Sequence, residues 1–388
     1  MISGQKKQPL ESSGGDRMKV AILHPWFLMR GGGERVVDVL VSIFPEADVF
    51  CLFADTKKLS SVLRARGVRA SFLNRFPFSS RLHRQLLPFY PWAVESFDLS
   101  AYDLVISSCG PVMMGCSVRE DAVHICYCHT PQRSWWDLYS EHQLQLPALL
   151  RHLFVIAAGW VRTWEFCAMQ RVDHVVTNSR FVANRVHKYF RRESTIIYPP
   201  VSMGSQPASQ SGTYYLTVGR LEKQKRVDIL IRACNALGRK LVIAGTGKEE
   251  RFLRSIAGPT IDFRGYVPDE HIPALYANCR AFLFAAVEDF GIAPVEAQSF
   301  GRPVIAYGRG GSLETVRFND PEGRPNTGIS FPEQTVESLV DALRLFESSE
   351  CDFDPESIRS HAKQFDTETF VAAMKTLVDN VCDRRGSL

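Results

Sequence analysis

Two carboxylates eight residues apart, Glu288 and Glu296, bracket the stretch EDFGIAPVE. Gly291 between them permits a tight turn, and Pro294 suits the first turn of a helix expected to start near Ala293 or Pro294. Amides left open from Asp289 through Phe290, Gly291 and Ile292 to Ala293 would face an anion or a polyol. Glu296, expected in the first helical turn, can accept hydrogen bonds from vicinal hydroxyls such as those of a ribose. The two acids can thus grip different parts of one ligand. Metal binding is the rival use of such a pair, but no His or Asp stands at ligand spacing.

Three other stretches carry chemistry. VGRLEKQKRVD puts Arg220 just past a strand and Lys225 five residues on. A planar fork and a mobile point charge there can hold a diphosphate. Lys223 and Arg226 stand close enough to leave the assignment open, and a solvated charge run is the plainer alternative. RGGGER, Arg30 to Arg35, sets Gly32 and Gly33 where a strand hands over to a helix, so backbone amides can approach an oxyanion. A tight turn alone would explain it equally. His129, in CHTP, closes another strand; a lone histidine is more often structural.

The elements that would position these residues alternate. MKVAIL reads as a buried strand from Met18 to Leu23, followed by the glycine-rich loop and an amphipathic helix. Short apolar runs recur at ADVFCLF, YDLVISS, HICYCH and HVVTNS, which predicts a mostly parallel sheet wrapped by helices. Pro199, Pro200 and SMGSQPASQSGT have the composition of a linker. A second alternation follows: YYLTVGRL, a helix from about Val227 to Leu237, KLVIAGTG, IDFRGYV, a helix near Asp269 to Ala277, AFLFAA, a helix across Pro294 to Phe300, PVIAYG, TGISF and a helix at Val336 to Phe346. A last helix carries Phe365, Phe370, Met374, Leu377 and Val381 on one face. The expected domains are a tail at 1–17, an α/β domain at 18–200, a linker at 201–212, a second α/β domain at 213–364, and a terminal helix at 365–388.

The chain has 388 residues, enough for two domains, and its 45% hydrophobic and 23% charged content is that of a globular protein. The polar first 17 residues lack the apolar core of a signal peptide. Ten scattered cysteines, without zinc-knuckle spacing, suggest reduced thiols in a cytoplasmic protein. The net charge of +4 is uneven: residues 1–200 carry 24 Lys+Arg against 17 Asp+Glu, and residues 201–388 carry 22 against 25. Much of the basic excess lies in Ser60 to Trp92, where arginines alternate with Phe, Leu, Tyr and Trp. That mixture suits an anionic membrane surface or a pyrophosphate-bearing lipid, or a solvated loop with ordinary core anchors. The apolar region Leu146 to Phe166 contains Arg151, His152 and Arg162, and its uninterrupted run from Leu153 to Val161 is about half of the ~20 residues a bilayer span needs. A peripheral protein, on the inner face of the cytoplasmic membrane if membrane-bound, is expected, and nucleic acid is not an expected partner.

Glu288 and Glu296, with GRGG after them and VGRLEKQK before, resemble the E-x7-E signature and the Arg/Lys pair of family 4 retaining glycosyltransferases. The likeness runs through MKVAILHPWFLMRGGGERV, CHTPQRSWWDLY, VVTNSRFVANRV and YPPV to HAKQFDTETF. It implies an α/β GT-B fold: two Rossmann-like, doubly wound domains facing a cleft, with the C-terminal helix crossing back to the first. It also implies that Arg220 and Lys225 neutralise a nucleotide diphosphate without a metal or other cofactor. Glu296 would hold the ribose, and Glu288 would lie near the donor sugar with Asp289 and the Phe290 to Ala293 backbone. His129 would contact the donor sugar, Gly32 and Gly33 would border the diphosphate, and Val267 in RGYVPDE would lie near the base. Arg226 departs from the family, which commonly has glycine there.

HTPQRSWWDLY resembles a subgroup rich in mannosyltransferases of O-antigen and exopolysaccharide assembly. For this chain the resemblance implies GDP-mannose as donor and a glycan acceptor on a polyprenyl diphosphate, with Glu34, Arg133 and Asp137 as candidate acceptor contacts. An internal Arg133–Asp137 salt bridge is an equal alternative. Transfer would retain the anomeric configuration, and domains joined by the linker would hinge to exclude water. A UDP-sugar donor, a sugar-nucleotide epimerase and a non-catalytic binding protein are the other possibilities. A scaffold would be expected to have lost one of His129, Arg220, Lys225, Glu288 or Glu296. A Rossmann dehydrogenase fails for want of G-x-G-x-x-G.

Overall fold

A computed structural model describes residues 18–29, 31–83, 85–109, 112–204 and 212–386. The expected tail, Arg30 and the middle of the expected linker lie outside the described residues. The chain divides into two units: one of residues 1–178, 182–197 and 371–388, the other of 179–181 and 198–370.

The first unit is built on seven strands, β1 (Val20–Phe27), β2 (Asp48–Ala54), β3 (Arg69–Ala70), β4 (Leu104–Cys109), β5 (Val123–Cys128), β6 (His174–Thr177) and β7 (Thr195–Ile196). All pair in parallel, in the order β3-β2-β1-β4-β5-β6-β7. β4 and β5 are buried along their whole length, the mark of a parallel sheet covered on both faces. β1 runs four residues beyond the expected Leu23, through His24 and Pro25 to Phe27. Proline is tolerated because pairing with β4 stops at Leu23 while pairing with β2 continues to Phe27, so Pro25 interrupts no two-sided ladder.

The Gly32–Ile43 helix follows and buries Val36, Val37, Leu40 and Val41. The terminal helix, Thr367–Gly386, contributes its residues from Val371 onward to this unit. Its buried stripe is Phe370, Met374, Val378 and Val381; Leu377, expected on that face, is only half-buried because Val378 takes the inward position.

The second unit has six parallel strands, β8 (Tyr215–Val218), β9 (Leu241–Ala244), β10 (Ile261–Gly265), β11 (Ala281–Phe284), β12 (Val304–Tyr307) and β13 (Gly328–Phe331), in the order β10-β9-β8-β11-β12-β13. Successive residues face opposite sides. Tyr215, Ile243, Leu283 and Ile305 pack with Ile229, Leu230, Leu339 and Leu343 of the helices Val227–Leu237 and Val336–Ser349. Leu216, Val242, Phe282 and Ala306 pack on the other side with Tyr276, Ala297 and Phe300. No helix among the described residues is long and apolar enough to cross a membrane.

Candidate functional site

The candidate residues fall into two sets, one in each unit, and several members of each lie on segments that leave the sheet where its strand order reverses. In the first unit that point lies between β1 and β4, and in the second between β8 and β11. At such a point the connections leave the sheet in opposite directions, and the strands' carboxyl ends open a crevice for a ligand.

In the first unit, His24 on β1 donates from Nδ1 to the Ser108 carbonyl on β4 at 2.9 Å, tying the two strands across the reversal. His129, one residue past β5, places Nε2 2.9 Å from Ser108 Oγ, and its carbonyl accepts from Asn178 Nδ2 at 2.9 Å. The two imidazoles stand edge to face, 6.4 Å between centroids. Burial, then the neighbouring His24 ring, pushes the His129 pKa down to about 3, so His129 is a neutral hydrogen-bonding imidazole at ordinary pH. A Cβ at Gly33 would come 3.3 Å from His24 Cε1 and 3.6 Å from His129 Nε2. Gly33 therefore brings the first turn of the Gly32–Ile43 helix, with its free amides, against both rings. Glu34, in the same turn, has Oε1 3.9 Å from His24 Nε2.

Arg133 and Asp137 form the internal arrangement. Asp137 Oδ2 accepts from Arg133 Nε at 3.1 Å and from the buried Arg185 Nη2 at 2.8 Å. Asp137 is thereby committed to two guanidiniums.

In the second unit, Gly219 follows β8, and the segment from Arg220 to Arg226 turns into the Val227–Leu237 helix. Leu221 is buried, accepts the Glu249 amide and donates its own amide to Thr246, which pins the loop to the end of β9. Arg220 is exposed and makes no side-chain hydrogen bond or ion pair with a described residue. Lys225, on a short 3-10 turn, forms an ion pair with Glu288 from the loop after β11. Lys223 is exposed, and Arg226 is engaged elsewhere.

Arg226 has φ 52° and ψ 37°, the left-handed conformation that glycine adopts without strain. Its guanidinium holds Asp228 through two hydrogen bonds of 3.1 and 3.3 Å and Gln334 Oε1 at 3.1 Å, while Gln334 Nε2 donates to the Ala285 carbonyl at 2.7 Å. The departure from glycine thus keeps the glycine backbone shape. A side-chain bridge from the Lys225 loop to the end of β11 holds it.

The Glu288 loop is fixed by glycines of GRGG. A Cβ at Gly311 would lie 2.3 Å from the Phe290 carbonyl oxygen, and Gly311 donates its amide to the Glu288 carbonyl at 2.8 Å. Phe290 is buried, Gly291 adopts φ 90°, and the helix that follows spans Ile292–Ser299. That helix begins one to two residues earlier than its sequence suggests, because Gly291 itself is the N-cap. Glu296 consequently lies in the second turn, where its Oε2 accepts from Tyr276 Oη at 2.9 Å. Asp289, Ile292 and Ala293 are half-buried, and Val267 lies two residues past β10 beside the exposed Tyr266.

Sequence reasoning missed His24, Ser108, Asn178 and Tyr276. A histidine two residues before the Trp26-Phe27 end of β1 was a usable signal for the first. The rest become visible only through contacts between distant segments.

The sequence matches two family models in order: Glycosyltransferase Family 4 over residues 30–204 and Glycosyl transferases group 1 over residues 202–365. It is 24% identical to the alpha-1,3/1,6-mannosyltransferase ALG2 of Saccharomyces cerevisiae, over 94% of this chain and 85% of that protein. It is 30% identical to the O-antigen chain mannosyltransferase B of Escherichia coli over 141 residues, 33% of this chain and 37% of the relative. Its fold is similar to that of Anabaena HepE solved with UDP, at a TM-score of 0.67 and 17% identity, covering 94% of this chain and all of that one. The lipopolysaccharide outer core galactosyltransferase WaaB is similar at a TM-score of 0.62 and 18% identity, over 94% and 99% of the two chains. With the GT-B architecture in place and both family models matched consecutively along the sequence, the chain belongs to the family 4 glycosyltransferases.

Proposed function

We propose that the protein transfers mannose from GDP-mannose to a glycan hydroxyl, with retention at the anomeric carbon and without a metal ion. The observation that carries the proposal is the Lys225–Glu288 ion pair at the reversal between β8 and β11, on the loop that also carries Arg220. Mannose as the sugar is supported by similarity along most of the chain to a protein named as a mannosyltransferase.

In this reading Arg220 and Lys225 take the diphosphate oxygens. Lys225 would share its charge between that anion and Glu288, which would receive the outer hydroxyls of the sugar. As the bond between the anomeric carbon and the diphosphate oxygen breaks, negative charge collects on the leaving group, where the two cations stabilise it. The acceptor oxygen attacks from the same face and its proton passes to the departing phosphate oxygen. His129, kept neutral by burial, orients a sugar hydroxyl without adding a positive charge beside the forming oxocarbenium. Glu296, oriented by its bond to Tyr276, would hold the ribose hydroxyls. The acceptor is a glycan carried on a polyprenyl diphosphate, and the protein works peripherally at the cytoplasmic membrane.

The test is transfer in EDTA from GDP-mannose, or from UDP-sugars, to a polyprenyl-diphosphate-linked glycan, with the product's anomeric configuration read by NMR. An α-mannosyl product is expected. Transfer from a UDP-sugar instead, inversion, or loss of activity in EDTA would contradict the donor, the stereochemistry or the metal-free reading respectively.

A further inference from the structure

The Ala148–Gln170 helix inverts the usual arrangement of a surface helix. Arg151, Arg162 and Glu165 on it turn back onto the protein. Arg151 Nε donates to the Leu146 carbonyl at 3.0 Å, and Arg162 donates to the Trp135 carbonyl at 2.5 Å with its guanidinium over the Tyr139 ring. Glu165 is buried and accepts from Trp136 Nε1 at 2.8 Å. What faces outward is mainly apolar, with the exposed His152 among it: Leu153 is 62% exposed, Ile156 70%, Trp160 47% and Phe166 38%. Spacings of three and four residues put Leu153, Ile156 and Trp160 on one side of the helix, and Phe166 stands exposed at the flank of that face a turn and a half further on. Even Thr163, on the same side, spends its hydroxyl on the Gly159 carbonyl.

A water-facing helix would place its charges outside and its apolar residues inside. Contiguous exposed apolar surface of this kind marks an interaction site.

A second exposed apolar set adjoins the first within the same unit. Trp160, Val161 and Trp164 share a narrow crevice with Leu87 and Pro91, and beside these Phe89 and Trp92 stand exposed with their rings 5.8 Å apart. The segment that delivers them is strongly cationic. Between Asp55 and Glu95 the sequence has eight Lys and Arg and no acid. Arg75 and Arg81 on it are exposed and form no ion pair with a described residue.

We infer that the outer face of the Ala148–Gln170 helix, continued by Phe89 and Trp92, embeds in the headgroup and upper acyl region of an anionic bilayer. The inference deepens the membrane-bound reading above and rests on it, but not on the identity of the donor. Phosphate headgroups complement the acid-free cationic segment, and hydrocarbon complements Leu153, Ile156 and Trp160. A second copy of the chain fits less well, since a two-fold interface would bring the same cations toward each other. The run is too short to span, so the helix lies in the plane of the interface.

The test is co-sedimentation of the full chain with phosphatidylcholine vesicles, with and without phosphatidylglycerol. The wild-type protein is expected to pellet with the anionic vesicles and to be released by salt in part. Leu153→Asp and Ile156→Asp, both on exposed positions, should each weaken binding about tenfold or more, since charge is expelled from the apolar zone. Arg75→Glu with Arg81→Glu should remove the preference for anionic lipid. Unchanged melting temperatures would verify that the variants fold. If the wild type binds neither vesicle, the membrane-bound reading itself fails. If it binds and both aspartate variants bind equally well, another surface carries the membrane and this assignment is overturned. A wild-type dimer that Ile156→Asp dissociates, without vesicle binding, would also overturn it.

Discussion

Lys225 and Glu288 reach each other from segments 63 residues apart, and Arg220, five residues before Lys225 on the same loop, makes no side-chain bond with a described residue. At this scale the functional reading becomes a set of separable losses. Lys225→Ala should lower kcat about 100-fold or more while shifting donor affinity less, because its charge matters most as the leaving group forms. An unaffected turnover would move the diphosphate contact to Lys223. Glu296→Ala should weaken donor binding about tenfold with a smaller change in kcat, as expected when charge-assisted hydrogen bonds are lost. Tyr276→Phe should act in the same direction but less, since it removes only the group that orients Glu296. Titration calorimetry with the nucleotide alone checks both. The two acids of EDFGIAPVE, the Arg/Lys pair and the glycine loop are legible in the sequence because each is a local pattern. Tyr276 is not: its link to Glu296 spans 20 residues and passes between two helices. His24 escapes for a different reason, since a proline behind it suggests that the strand has ended.

Among elements, the loops after β8, β11 and β12 determine whether those residues meet. Strand positions are well marked in the sequence by their apolar runs, and the Val227–Leu237 helix has the limits its periodicity suggests. Loop geometry is not marked, because φ and close backbone approach leave only a glycine as their trace, and Arg226 lacks even that. A non-glycine residue in the left-handed region costs about 1–3 kcal/mol unless its surroundings hold it. Arg226→Gly should therefore remain near wild-type stability, trading the bridge to Asp228 and Gln334 for a relaxed backbone. Arg226→Ala should melt lower and lose activity, because it keeps the strain and loses the bridge. Equal melting temperatures for the two would show that the bridge does not shape the loop. Gly311→Ala should impair donor binding severely, since its Cβ would lie 2.3 Å from the Phe290 carbonyl oxygen and displace the Glu288 loop.

For the whole molecule, buried titratable groups set a pH optimum of stability. Burial lowers the pKa of His124 to about 4, of His129 to about 3 and of His361 to about 4, from 6.5. Below pH 6.5 the unfolded chain takes up protons that the folded one refuses, so their contribution is lost as pH falls toward 4. Burial raises Glu165 from 4.5 to about 8, so its contribution is present at low pH and lost as pH rises toward 8. Three histidines outweigh one glutamate below 6.5, and between 6.5 and 8 the glutamate dominates. The melting temperature should peak near pH 6.5, and Glu165→Gln should flatten the alkaline side. A two-unit α/β chain was legible from the alternation of runs, whereas the inverted polarity of the Ala148–Gln170 helix was not, because hydropathy does not say which way an arginine turns. The central claim concerns the nucleotide-sugar site, and the most direct measurement is the melting temperature of the wild type and Glu296→Ala with GDP, UDP or ADP in EDTA. A ligand that binds only the folded state must raise it. Stabilisation of the wild type by GDP above UDP and ADP, diminished in Glu296→Ala, is the predicted result; no stabilisation by any of the three nucleotides would contradict the account.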